Sequence, residues 1–442
     1  MGFANTTGKV LICYHSNLFY TNKYDTTFLY VYLLIFFCSC SLSKKTGDSG
    51  SFRMPGEWEE HEAVWVGILR PSGNDTASAA IIKAIYKNVQ VKIPYDNDGM
   101  VHSFNWFLHT QQVDTTQLHW VRDSIRTTWM RDPGPLFLVN KKGERKVIDF
   151  NWNEYGHCFV YNYQLRLSDI ITGRIDQRIA SYLQLPVVST SIVAEGGGIE
   201  TNSEGVLMST EETALQRNPG KSLSEIEAEY LRVTHCKKMI WLKRMTLHDK
   251  AVPGLSAGNW VGGGANGHID EVARFINPHT IALAKIDEEE RWNNPISAAD
   301  YTILEECYDI LKKAVDVKGR PFTIIRFPYP DLNVHGISNL VTDGLRQRFT
   351  GKNFNLKNGD TVWRAPAVSY MNFMVTNGVV LSAAYWKKGM PMREKEKDEE
   401  VKTLLGQLYP GRQVIQINPF SINLFGGGMH CVTQQEPKAI KR

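Results

Sequence analysis

Five ionisable residues stand in or beside glycine-rich turns: Asp132 in WMRDPGP (129–135), Glu195 in EGGGIETN (195–202), His268 and Asp270 in NGHIDEVARF (266–275), and Cys431 in FGGGMHCVTQQEP (425–437). Each turn follows or borders a β-like run. Glycine there lets backbone approach a ligand and aims a neighbouring side chain into a pocket. Singly these turns are weak signals, since most glycine-rich turns are structural, and none matches a phosphate loop.

Together the five compose one chemistry. A planar, delocalised cation with an N–H fork matches a carboxylate in bidentate fashion, so a guanidinium group calls for carboxylates. Its carbon is a poor electrophile and needs a strong nucleophile at neutral pH, which a thiolate stabilised by nearby positive charge supplies. Cys431, preceded by three glycines and His430, fits that part. The departing nitrogen must gain a proton and a water must later lose one, a two-way task for an imidazole such as His268. In an extended HID segment the side chains of His268 and Asp270 point to the same side and so face one pocket.

Plainer roles compete for the same residues. Cys13, Cys158, Cys236 and Cys307 are expected to be inert core thiols. His268 beside Asp270, and Arg131 beside Asp132, also describe simple ion pairs. His61 and His157 are candidate ligands, but no HExxH or comparable spacing offers a zinc site. The seven cysteines include no CxxC pair, so no disulfide framework is indicated.

The 442 residues carry a net charge of +4 and are 43% hydrophobic, which describes a globular protein rather than a disordered one. No basic stripe interleaved with aromatics occurs, so nucleic acid is not expected as a partner. Strand-like runs fall at 63–69, 135–140, 206–210, 280–286, 322–327, 373–385 and 413–417. Helical patterns lie between them: Ser222 and Glu225 at capping-box spacing ahead of IEAEYL, an amphipathic stretch over 297–315, and a charged one over 393–408 read as a solvated face. Interleaved strands and helices make the class α/β.

Residues 1–51 read as a signal or anchor segment with a polar tether, and 52–442 as one domain. The apolar run Phe28 to Cys40 is too short to span a bilayer as a helix but suits a secretory core. With Ser39-Cys40 and the polar stretch after it, the segment resembles a bacterial lipoprotein signal; a cleaved signal or an uncleaved anchor are the alternatives. Export or membrane anchoring is thereby favoured over a cytoplasmic location.

The order of the motifs resembles the agmatine deiminase and Porphyromonas-type peptidylarginine deiminase family. RMPGEWEEHEAVWVG (53–67), WMRDPGP, DFNWNEYG (149–156), EGGGIETNSEGVLMSTEE, GHIDEVARF, YMNFMVTNGVV and GGGMHCVTQQEP carry the likeness, over residues 53 to 437. The resemblance implies a single-domain, five-bladed, pseudo-fivefold α/β propeller of the pentein type with the site at its centre. It implies Cys431 as nucleophile, His268 as general acid/base, Asp132 and Asp270 as the guanidinium clamp, and Glu195 as the acid that orients the histidine or joins the clamp. Trp129 and Arg131 fall with Asp132 among the substrate-binding residues. The implied reaction is hydrolytic deimination through a covalent thiouronium, with no metal or organic cofactor. Agmatine is the default substrate, in the context of putrescine formation, and peptidyl-arginine the alternative. The partner is thus a small guanidino compound or an arginine side chain, with a homo-oligomer left open. Pro133, Glu271 and the GGGMHC spelling depart from the family's commoner forms and flank the pocket, which opens the substrate to question. An amidinotransferase and a catalytically silent binding protein are the rival readings.

Overall fold

The computed structural model describes residues 50–69, 75–125, 127–160, 162–251, 254–348 and 354–439. The leader read from the sequence, with Cys40 and Cys13, lies outside the described residues. Among those described, no helix is long and apolar enough to cross a membrane.

Strands and helices alternate, and the class is α/β. Among the described residues five sheets repeat one pattern, in which a central strand runs antiparallel to one neighbour and parallel to the other. Four are local: Leu136–Val139, Arg145–Asn151 and Val187–Val193; Ile199–Thr201, Val206–Thr210 and Lys238–Leu242; Ala273–Asn277, Thr280–Lys285 and Thr323–Pro328; and Met374–Thr376, Val379–Ala383 and Gln413–Ile417. The fifth joins distant parts of the chain. Thr433–Pro437 lies antiparallel to His61–Val66, which runs parallel to Gln90–Tyr95, and Leu118–Arg122 extends the sheet. A smaller sheet is made by Trp260–Val261, Thr361–Arg364 and Ile337–Leu340.

A parallel pair needs a crossover of a dozen residues or more, usually a helix. Five helices lie in the crossovers of the five sheets: Thr76–Ile85, Ile175–Tyr182, Leu223–Thr234, Pro295–Leu311 and Met392–Leu408. Their starts follow local chemistry. Ser222 and Glu225 close the expected capping box, with Ser222 N donating to Glu225 Oε2 at 2.7 Å and Glu225 N to Ser222 Oγ at 3.3 Å. Asn294 Oδ1 accepts from Ser297 N at 2.8 Å just before Pro295, whose missing N–H costs nothing in the first turn.

Two expectations are corrected. The run over 373–385 is two strands, broken at the turn Asn377-Gly378, where Gly378 sits at φ +70° and Asn377 Nδ2 donates to His61 O at 2.8 Å. The charged helix Met392–Leu408 is not wholly a solvated face, because Glu394, Lys397 and Asp398 are buried. Lys397 Nζ lies 2.7 Å from Glu290 and 2.8 Å from Glu394, whose other oxygen meets His335 Nε2 at 2.7 Å. Asp398 accepts from Tyr370 Oη at 2.7 Å and from Tyr385 N at 2.9 Å. A helix sequence displays its own charges but not the partners that other elements bring to them. Removing one member of a buried charge set strands the rest, so Lys397→Ala should cost about 3 kcal/mol of stability. Thermal or denaturant unfolding of that variant measures it, and a loss under ~0.5 kcal/mol rejects the buried-cluster account.

Candidate active site

The segments picked out by their ionisable residues occupy equivalent places in the five sheets. Asp132 stands just before Leu136–Val139, Glu195 before Ile199–Thr201, Asp270 before Ala273–Asn277, and Cys431 before Thr433–Pro437. The remaining sheet contributes Asn372, two residues ahead of Met374–Thr376. The same topological position in each sheet therefore delivers one polar side chain.

These side chains converge. A β-carbon built on Gly197 would lie 2.6 Å from His268 Nδ1, 3.0 Å from Asp132 Oδ1 and 3.2 Å from Asp270 Oδ2, so only glycine leaves the three room to meet. Gly427 is equally constrained, since a β-carbon there would sit 2.7 Å from the Trp129 ring and 3.0 Å from Cys431 Sγ. His268 and Asp270 do face one site, though not through an extended strand: Ile269–Glu271 is a 3-10 turn that begins directly after His268. Asp249 Oδ2 fixes that turn by accepting from Gly267 N at 2.6 Å and His268 N at 2.8 Å.

His268 sits between two acids, with Nδ1 3.6 Å from Asp132 Oδ1 and Nε2 3.5 Å from Glu195 Oε2. Burial works against its charge, but Asp132, then Glu195 and Asp270, push its pKa up to about 9. Glu195 feels burial in the opposite sense, yet Arg217, whose Nε donates to both its oxygens at 2.8 and 3.1 Å, and His268 bring it down to about 2. Asp132 is raised to about 6 by burial, with Asp270 and Glu195 adding to the rise against the pull of His268; Tyr155 Oη donates to its Oδ2 at 3.0 Å.

Asp270 Oδ2 accepts from His430 Nδ1 at 2.7 Å and from Asn372 Nδ2 at 3.1 Å; burial acts to raise its carboxyl, but His430, with His268 and Arg274, holds it low. Its Oδ1 is buried with no hydrogen-bond partner. Asn372 Nδ2 also reaches Cys431 Sγ at 3.2 Å and Glu271 Oε1 at 3.0 Å. Burial first, then Asp270, Glu271 and Asp132, keep the Cys431 thiol well above its ordinary pKa. Glu271 is itself pushed well up by burial and by Asp270 and Asp249. Trp129, Asp132, Tyr155 and Cys431 share the lining of a cavity of about 180 Å³.

Arg131 takes another direction. Its Nη1 donates to Glu57 at 2.9 Å, Nη2 to Gln435 and Nε to His430 O at 3.4 Å, so it neither pairs with Asp132 nor lines the Cys431 cavity. It braces the site from behind: Glu57 receives Arg131, Arg274 at 2.5 Å and His430 Nε2 at 2.6 Å. Asn372, His430 and Glu57 escaped the sequence reasoning, although each lies inside a quoted motif and Asn372 holds the fifth equivalent position. His61 contacts Thr376 Oγ1 at 3.2 Å on the side of Glu57 and Glu200, and His157 lines the Cys431 cavity. Cys158, Cys236 and Cys307 are buried free thiols. Two carboxylate-containing groups at this centre have ligand atoms within 4.8 Å of one another, Glu57–Glu200–His430 and Asp270–Glu271–Cys431. In the first the acids are already paired with Arg274 and Arg131.

An α/β chain in which a buried cysteine, a histidine between two acids and a further carboxylate converge beside one cavity is the class of molecule defined here. The chain belongs to the Porphyromonas-type peptidyl-arginine deiminase family, whose pattern matches residues 53–437. It is 29% identical over 390 residues to a Listeria monocytogenes protein provisionally named agmatine deiminase 2, covering 87% of this chain and 95% of that one. It is 27% identical over 405 residues to the agmatine deiminase of Medicago truncatula, covering 87% and 96%. The solved structure of Enterococcus faecalis agmatine deiminase superposes with a TM-score of 0.67 at 24% identity over 88% of this chain and 96% of that one, which establishes the common fold.

Arg217 is the cation that keeps Glu195 ionised in the interior. Because the folded pKa of about 2 lies below the ordinary value of 4.5, this pair stabilises the native state above about pH 4.5 and the contribution fades as pH falls toward 2. Arg217→Met should cost about 3 kcal/mol at pH 7 and shift acid unfolding to higher pH. An unchanged acid transition rejects that role.

Proposed function

We propose that this chain hydrolyses the guanidinium group of a small substrate, with agmatine, giving N-carbamoylputrescine and ammonia, as the leading case. One observation carries the reading: Asp132 and Cys431 line one cavity, and His268, Glu195 and Asp270 close in directly behind them, with Asp270 Oδ1 left for a donor that the protein does not supply. The names of the Medicago and Enterococcus relatives support agmatine, and the family's description supports peptidyl-arginine as the second substrate.

The reaction uses each group's charge. The incoming cation is clamped by Asp132 and Asp270, and its positive charge offsets the carboxylates that hold the thiol protonated, so the thiol passes its proton to solvent water and the thiolate forms beside the guanidinium carbon. Sulfur attacks that carbon. His268, protonated at the outset, gives its proton to one nitrogen as the C–N bond breaks and ammonia leaves a thiouronium on Cys431. The now neutral His268 takes a proton from water, hydroxide adds to the same carbon, and the C–S bond breaks with its electron pair going to sulfur and the hydroxyl proton following, which gives the ureido product and restores the Cys431 thiol. Glu195, itself fixed by Arg217, keeps the imidazole oriented and its charge stabilised. An amidinotransferase would share the first half and differ in the acceptor; a silent binding protein would leave Cys431 unreactive.

The finer architecture follows the same reading. Five sheets of like topology, each delivering one polar residue, support five blades about a common axis, formed by one domain over 52–442. An N-terminal tether would attach that domain to a membrane after export.

Cys431→Ala should abolish ammonia release while the unfolding transition stays within a degree or two of the parent. Residual turnover by it rejects the covalent route. In the substrate-free protein, alkylation of Cys431 by iodoacetamide should be slow at pH 7 and climb above pH 9, because the raised thiol pKa leaves little thiolate below it; rapid alkylation at neutral pH rejects the substrate-assisted step. Asp132→Asn should raise KM by roughly a hundredfold, as an amide cannot supply the clamp's charge, and an unchanged KM and kcat removes Asp132 from the clamp.

A further inference from the structure

The DFNWNEYG segment (149–156) enters the chemistry above only through Tyr155, yet it also places Glu154 on the lining of the cavity that holds Cys431. Glu154 lines that space together with Cys431 and Asp132. It also lines an adjoining cavity of about 240 Å³, which shares Trp129, Glu154 and Tyr155 with the first. The backbone that presents it is held in an unusual form. Glu154 at φ 55°, Tyr155 at φ 59° and Gly156 at φ 71° are three consecutive left-handed residues, a conformation that side chains other than glycine seldom adopt. Gly156 N donates to Asn153 Oδ1 at 2.9 Å and Asn266 Nδ2 to Tyr155 O at 3.0 Å, which pins the turn, and Tyr155 in turn grips Asp132.

We propose that Glu154 is a specificity residue that receives the far, ammonium end of an aliphatic guanidine, so that the preferred substrate is a dication and not an amino acid. The inference rests on the deiminase reading and narrows its substrate. A guanidinium clamped at Asp132 and Asp270 would run its methylene chain between aromatic walls, since Trp129, Tyr155 and Phe425 line the same space. No arginine or lysine lines either cavity among the described residues, so an α-carboxylate would meet Glu154 with no unpaired cation beside it. His157 adds none, because burial, helped by Arg217, brings its pKa down to about 4 and leaves it neutral. Arg166 reaches Glu154 Oε1 at 3.3 Å, but its Nε and Nη2 also pair with Asp169 at 2.9 Å and it stands largely in solvent, so the ensemble of Glu154, Arg166 and Asp169 keeps a net negative charge. The Tyr163 hydroxyl completes the set by donating to Glu154 Oε2.

Ammonia release is compared for agmatine, for butylguanidine, which lacks the amine, and for arginine, with the parent chain, Glu154→Gln and Glu154→Asn. Asparagine tolerates the left-handed conformation, so it guards against a folding failure of the glutamine variant. The parent should prefer agmatine over butylguanidine by roughly tenfold or more in kcat/KM, the worth of one charge-assisted hydrogen bond, and should use arginine least. In both variants the ratio of agmatine to butylguanidine should fall toward one through a rise in the KM for agmatine. A parent that treats agmatine and butylguanidine alike, a preference for arginine, or an equal loss on both guanidines in the variants overturns the role of Glu154 while the deiminase reading stands. Ammonia from an arginine-containing peptide alone overturns the role of Glu154 and leaves the deiminase reading, and ammonia from none of the three substrates or the peptide overturns both.

Discussion

Everything at this site depends on burying acids beside a thiol. Asp132, Glu195, Asp270, Glu271 and Cys431 are all less than 5% exposed, and an isolated carboxylate in such surroundings would take up a proton rather than stay charged. The fold answers with cations placed one layer out. Arg217 faces Glu195, and Arg131 and Arg274 hold Glu57, which the His430 ring links to Asp270. Asp132 has no arginine against it, only His268 at 3.6 Å, the Tyr155 hydroxyl and Gly197 N at 3.3 Å among the described residues, and burial leaves its carboxyl raised. The charge missing from that balance is the one a guanidinium brings.

That arrangement explains why the chain spends so many glycines where it does. Five strands end their approach to one small volume, and the atoms above Gly197 and Gly427 occupy the space a side chain would take. The outer shell is built from the opposite material: branched and aromatic residues of the sheets, such as Val64, Val91, Ile93, Leu283, Phe327 and Leu381, are fully buried and fix the strands whose leading turns carry the polar groups. Rigidity of the shell is what allows charges to stay a few ångströms apart without collapsing into a protonated, hydrogen-bonded knot.

The cysteine, the histidine and the acids that converge were legible in the sequence because each stands beside glycines in a short turn, and glycine marks a place where backbone and ligand come close. Asn372 was not, since YMNFMVTNGVV carries no glycine before its strand; only the repetition of the sheet pattern makes the position before Met374 equivalent to the other four. Arg131 was misread for a related reason. Adjacency to Asp132 in sequence says nothing about direction, and in a turn that leads into a strand the two side chains leave on different sides, one into the cavity and one toward Glu57. The alternation of strands and helices was legible from branched residues and capping, whereas Gln90–Tyr95, with Lys92 and Pro94 inside it, was not, because its lysine is buried only by virtue of Glu436 at 2.8 Å on a strand more than three hundred residues away. Buried charge at Lys397 hid from the sequence in the same manner.

Holding the thiol protonated at rest has a consequence for selectivity that does not depend on shape. A neutral ligand of the right size would bury the same surface but would leave Asp270, Glu271 and Asp132 uncompensated, and the thiolate would stay unfavourable. Only a ligand that carries positive charge to the clamp lowers the cost of making the nucleophile, so recognition and activation draw on one electrostatic term. The same term protects the cysteine when the cavity is empty, because oxidants and electrophiles attack thiolates and this sulfur is kept as a thiol in a buried pocket. Site and scaffold are thus coupled through charge: the arginines that stabilise the fold set the deficit that the substrate must fill.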